Sequence, residues 1–138
     1  MEGKIKLLVR SVSEDPYGRH EFSQTGNGLI QKETDGWRLR YTDRGQSGER
    51  GCWDIRIRDS IVTIHSIAGS YVLELDPGRT TTLRLDAGGN TAEMEIKTHR
   101  ISWSLDDEKQ GRIELNYIML AAGEIVSDMS LQMQLKKK

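Results

Sequence analysis

Ile125-Val126-Ser127-Asp128-Met129-Ser130-Leu131-Gln132-Met133-Gln134-Leu135 alternates apolar and polar side chains almost without a break. Ile125, Ser127, Met129, Leu131, Met133 and Leu135 fall on one parity, while Glu124, Asp128, Ser130, Gln132 and Gln134 fall on the other. Successive side chains of a β-strand point to opposite faces, so this is the pattern of a strand with one buried and one wetted face. Upstream, Ile113, Leu115, Tyr117 and Met119 alternate with Arg112, Glu114 and Asn116. Trp53, Ile55 and Ile57 oppose Asp54, Arg56 and Arg58, and Trp37, Leu39 and Tyr41 oppose Arg38, Arg40 and Thr42. A helical period of 3.6 appears almost nowhere, so the chain is all-β.

Turn signals separate these runs at short intervals: Gly26-Asn27-Gly28, Asp35-Gly36, Gly45-Gln46-Ser47-Gly48, Asp76-Pro77-Gly78, Gly88-Gly89-Asn90 and Ala122-Gly123. Glycine and asparagine adopt positive φ at little cost, and Asp-Gly between alternating runs marks a hairpin. The spacing predicts about ten strands, at 4–12, 19–25, 28–34, 37–43, 51–58, 60–67, 70–75, 80–86, 91–105 and 112–121, with 124–136 as an eleventh. Segment 60–67 is apolar on both faces (Ile61, Val62, Ile64, Ile67), as expected of a strand covered on both sides. In 91–105 the apolar parity changes from even (Met94, Ile96) to odd (Ile101, Trp103, Leu105). A period of two cannot change parity without an extra residue, so a bulge is expected near Thr98–Arg100. Short consecutive hairpins give an antiparallel meander. Closure removes exposed edges, so the expected form is a β-barrel of about eight to ten strands in one domain, residues 1–138.

Composition narrows the partners. The 138 residues carry 20 Lys+Arg against 21 Asp+Glu, and the one basic run is Lys136-Lys137-Lys138. Nucleic-acid binders draw their affinity from phosphate neutralisation and show a basic excess, so no nucleic-acid partner is expected. No apolar run approaches the roughly 18–20 residues of a membrane span. The segment Met1 to Lys6 lacks the apolar core of a signal peptide, and the single cysteine, Cys52, excludes an intrachain disulfide. A soluble, cytoplasmic protein is expected.

The C-terminal third reads Lys97-Thr98-His99-Arg100-Ile101, then Leu105-Asp106-Asp107-Glu108-Lys109-Gln110-Gly111-Arg112-Ile113, then Asn116-Tyr117-Ile118-Met119. Glu21-Phe22-Ser23-Gln24-Thr25-Gly26 and Arg10-Ser11-Val12-Ser13-Glu14-Asp15 precede it. In order and spacing, these segments resemble the YwiB-like family, a bacterial domain of unknown function. The resemblance implies a calycin (lipocalin-like) barrel and brings no catalytic residues with it. Family members usually carry an acidic residue after the tyrosine of the 112–121 strand, where this chain has Ile118.

Motifs for chemistry are sparse. His20, His65 and His99 form no HxH or HxxxH pair, so no metal site is expected. Asp106-Asp107-Glu108 lacks the spacing of a calcium loop and reads as a hairpin turn. Cys52 has no histidine nearby in sequence to activate it, and no nucleophile elbow, phosphate loop or dinucleotide fingerprint occurs. No catalytic residues and no cofactor are assigned, and an enzyme ranks third. Arg38, Arg40, Arg56 and Arg58 form a stripe on polar faces, with Asp43, Asp54 and Asp59 among them, and read as a charge-mixed exterior.

The remaining candidate is the interior. Trp37, Tyr41, Trp53, Met94, Trp103, Tyr117 and Met119 fall on predicted inward faces, with Met129 and Met133, and constitute the candidate ligand-binding set. Ser11, Thr98 and Ser127 are inward polar residues. A small barrel is either filled by side chains or holds one small ligand. Non-catalytic binding of a small, mostly apolar molecule ranks first, with a cavity near 300 Å³ lined by Trp37, Trp53 or Trp103 as its signature. The second reading is an interaction module, a homodimer or partner complex docked on outward residues Leu8, Val12, Val62, Ile64, Val72 and Ile118 over a packed interior.

Overall fold

The structure, a computed structural model, describes residues 2–44, 50–106 and 110–138. Ten strands follow one another in the chain: β1 (Glu2–Asp15), β2 (Gly18–Glu33), β3 (Gly36–Arg44), β4 (Arg50–Arg58), β5 (Ile61–Ser66), β6 (Tyr71–Leu75), β7 (Thr81–Ala87), β8 (Asn90–Leu105), β9 (Gly111–Ala121) and β10 (Glu124–Lys137). They form one antiparallel sheet in the order β6-β5-β4-β3-β2-β1-β10-β9-β8-β7, coiled into a nearly closed barrel. Every pairing joins strands consecutive in the chain except β1 with β10, whose register runs from Ile5↔Lys137 to Glu14↔Asp128. Among the described residues no helix is long and apolar enough to cross a membrane.

The seam lies between β6 and β7, where no ladder forms. It is bridged by the Thr81 hydroxyl, which donates to the Glu74 carbonyl at 2.6 Å. Nearby, Trp103 Nε1 on β8 donates to the Asp59 carbonyl at the β4–β5 turn, 3.1 Å away. The interior is packed by cross-strand apolar pairs that the register places side by side: Leu7 with Leu135, Leu39 with Ile55, Ile57 with Val62, and Val62 with Leu75. Each of these residues is at most 2% exposed. Such interdigitated pairs supply most of the sheet's stability, because the transfer of their apolar surface out of water scales with area.

The bulge expected near Thr98–Arg100 is present. The β8–β9 register slips between Thr98 and Arg100, making His99 the extra residue and moving Ile101 onto the inner face. Four expectations are corrected. Gly26-Asn27-Gly28 is no turn; segments 19–25 and 28–34 form the single strand β2, with Gly26 opposite Asp43 and Gly28 opposite Tyr41. Val62 and Ile64, expected outside, are 0% and 4% exposed, because β5 turns them inward and leaves Ile61 and Ile67 outside. Segment 60–67 is therefore covered on one side only. Ile125 does not share a face with Met129: the β10–β9 register slips between Ile125 and Ser127, and Ile125 is 59% exposed. The expected turn at Gly45–Gly48 and the acidic residues Asp107 and Glu108 lie outside the described residues. Flanking the latter, the backbone N–H of Gln110 donates to Asp106 Oδ1 at 3.0 Å.

Candidate functional site

β3 carries its inward residues in sequence as Trp37, Leu39, Tyr41 and Asp43, and all four are buried. This row runs the length of the barrel and gives its two ends different chemistry. At the Trp37 end lies an open groove of about 400 Å³ bordered by Lys32, Glu33, Asp35, Trp37, Asp59 and Trp103. The ammonium of Lys32 stands 5.7 Å from the centre of the Trp37 ring, within cation–π range.

At the Asp43 end, side chains leave a cavity of about 190 Å³. Its aliphatic wall includes Val9, Ile64, Leu73, Leu131 and Met133, and its polar wall is Ser11, Gln24, Tyr41, Asp43, Trp53, Tyr71 and Tyr117. Tyr41 and Trp53 face each other across the β3–β4 ladder, their rings stacked at 6.3 Å and 21°. Tyr71 meets Trp53 edge-on at 6.5 Å and 77°. Offset-stacked and edge-to-face contacts are the favourable geometries of aromatic quadrupoles, so these rings hold one another in place. Trp53 Nε1 donates to Asp43 Oδ1 at 3.3 Å, tying the aromatic group to the carboxylate.

A glycine makes room for the carboxylate. Asp43 lies opposite Gly26 on one neighbouring strand and opposite Gly51 on the other. A Cβ on Gly51 would fall 2.2 Å from Asp43 Oδ1 and 2.6 Å from Trp53 Nε1. The missing side chain makes room for that hydrogen bond.

Burial raises the pKa of all three tyrosines above the ordinary phenol value. For Tyr41 the Asp43 carboxylate and Tyr71 add to the effect of burial. Tyr117 is pushed up to about 12, first by burial and then by Tyr71. Tyr71 is also raised by burial, against the opposing effect of a hydrogen bond with Ser66. All three therefore present neutral hydroxyls to the cavity.

Of the seven residues read from the sequence as ligand-binding, the fold brings Tyr41, Trp53 and Tyr117 together around this cavity. Trp37 and Trp103 border the groove at the opposite end, and Met94 and Met119 line neither space. Met119 packs against the core, while Met94 sits half-buried opposite Leu83. Of the inward polar residues, Ser11 lines the cavity, Ser127 donates to Met129 Sδ at 3.2 Å, and the buried hydroxyl of Thr98 has no hydrogen-bond partner among the described residues. Sequence reasoning missed Asp43 and Tyr71. Asp43 continues the parity of Trp37, Leu39 and Tyr41, and that continuation was the available signal.

Elsewhere the chemistry is that of a solvated surface. His20, His65 and His99 are exposed on β2, β5 and β8, and among the described residues no three His, Cys, Asp or Glu side chains gather as a metal site. On the arginine stripe, Arg38 grips Asp54 with two hydrogen bonds, Nε to Oδ1 at 3.1 Å and Nη2 to Oδ2 at 2.7 Å. That fork holds the Asp54 carboxyl below the usual carboxylate range.

Comparison with known proteins gives the fold a relative. No curated protein matches the chain. The crystal structure of the YwiB protein from Bacillus subtilis superposes with a TM-score of 0.84 at 19% sequence identity, covering 99% of this chain and 93% of that one. A family model that describes a domain of unknown function, DUF1934, matches residues 7–133, and no catalytic family is indicated. This YwiB-like barrel thus belongs to the DUF1934 family.

Proposed function

We propose that the domain binds one small molecule, without transforming it, in the cavity at the Asp43 end of the barrel. The observation that carries this reading is the composition of the cavity wall. An aliphatic floor faces unfilled space beside a converging set of polar groups, the arrangement that orients a ligand with an apolar body and a polar handle. At about 190 Å³ the cavity falls short of the expected 300 Å³, so the ligand is small. The tyrosine hydroxyls stay protonated far above neutral pH, which suits them to hold a ligand by hydrogen bonds.

Docking of a partner on the outer sheet is less well supported. Val62 and Ile64 are buried, and the exposed Leu8 and Val72 sit on β1 and β6 with four strands between them. Native mass spectrometry of protein purified without added ligand tests the choice. A discrete extra mass on the folded species, released on denaturation, is the expected result. A bare dimer would favour the docking reading. A bare monomer that gains no mass or thermal stability from any member of a small-molecule library would overturn ligand binding.

A further inference from the structure

Asp43 is 6% exposed, and this acidic residue lines the cavity. Burying a carboxylate costs free energy unless hydrogen bonds or an opposite charge compensate it. Trp53 supplies a neutral hydrogen bond to Oδ1. Around this charge, Tyr41 stacks on Trp53 at 21° and Tyr71 stands nearly perpendicular to Trp53 at 77°, so the lining carries aromatic rings in two orientations. The ring of Tyr117 lines the same space. The face of an aromatic ring carries negative quadrupole potential, and aromatic boxes beside a carboxylate attract quaternary and methylated ammonium groups. An anionic ligand placed in this cavity would be repelled by the Asp43 carboxylate.

We infer that the ligand of this cavity is a compact organic ammonium ion, its cationic head set among Tyr41, Trp53 and Tyr71 and drawn toward Asp43. The inference rests on the binding reading given above and adds the charge of the ligand. Size agrees: a space of about 190 Å³ is compact and suits a small alkylammonium head. The aliphatic residues Val9, Leu131 and Met133 then cover its methyl groups.

Isothermal titration calorimetry of the full chain with choline chloride tests this. The control is choline's uncharged carbon isostere, in which a tert-butyl group replaces the trimethylammonium. Choline should bind about tenfold or more tightly than the isostere, a difference of one decade in Kd. Asp43→Asn retains an oxygen for the Trp53 hydrogen bond and should abolish that preference, with thermal unfolding confirming that the variant is folded. Tyr71→Leu should weaken choline binding, and Tyr71→Phe, which restores the ring, should recover it. Equal or tighter binding of the isostere would overturn the cationic ligand and leave the binding site standing. Binding of neither compound would also overturn it, and the native-mass adduct then decides separately whether the cavity holds another ligand.

Discussion

Tyr117 shows in one side chain how far water is kept from the cavity wall. Its hydroxyl is pushed from the ordinary 10.0 up to about 12, chiefly by burial. The sign of the pH effect follows directly. Between those values the unfolded chain releases the phenolic proton and the folded chain keeps it, so stability is complete below pH 10 and declines as pH rises toward 12. A shift of this size corresponds to about 3 kcal/mol at most. Tyr117→Phe should therefore flatten the alkaline fall of unfolding free energy, measured by urea unfolding at a series of pH values. An unchanged slope would mean that the hydroxyl is not shielded. Three aromatic members of this wall, Tyr41, Trp53 and Tyr117, were legible because they sit on the parity of their strands' apolar residues. Asp43 shares that parity, yet a carboxylate near a strand end reads naturally as solvated. What makes room for it is Gly51 on the neighbouring strand, and that alignment with Asp43 exists only once the register is formed.

Strand β2 shows the same limit over a longer span. Gly26-Asn27-Gly28 has the composition of a turn, and local chemistry alone favours one. The glycines instead permit close approach: a Cβ on Gly28 would lie 2.6 Å from Tyr41 Cβ and 2.3 Å from the Arg40 carbonyl oxygen. Gly28→Ala should destabilise the barrel by about 1–3 kcal/mol, the usual cost of overpacking. It should also change the near-ultraviolet circular dichroism as Tyr41 shifts against Trp53; a variant with wild-type stability and spectrum would show that β2 and β3 pack more loosely. The two bulges make an instructive pair. The one at His99 was legible because a polar segment separates even from odd apolar positions, exposing the change of phase. The one at Val126 was hidden, since Ile125 and Val126 are both apolar and either could begin the alternation.

For the molecule as a whole, period-two patterning and short turns made the meander legible, but neither shows which strands meet when the sheet curls. The intuitive seam joins the first strand to the last. Here β1 and β10 are instead paired from Ile5↔Lys137 to Glu14↔Asp128, and the opening falls between β6 and β7, strands joined by the turn at Asp76–Thr80. The backbone of Lys138 donates to the Lys4 carbonyl at 3.1 Å, holding the chain ends against each other. In topological terms the barrel is a ring with two nicks on nearly opposite walls, one in the covalent chain and one in the hydrogen-bond ladder. Each is spanned by the connection the other lacks. A circular permutant that links the present ends and begins at Gly78 would move the covalent nick onto the ladder nick. It should still fold, because every strand pairing survives, but amide exchange in β6 and β7 should quicken about tenfold or more as local opening becomes easier. Unchanged exchange would mean that the contacts across the seam, the Thr81 hydrogen bond among them, hold it without the turn. In the natural order of the chain, the wall that lacks a ladder is the wall where the backbone runs unbroken.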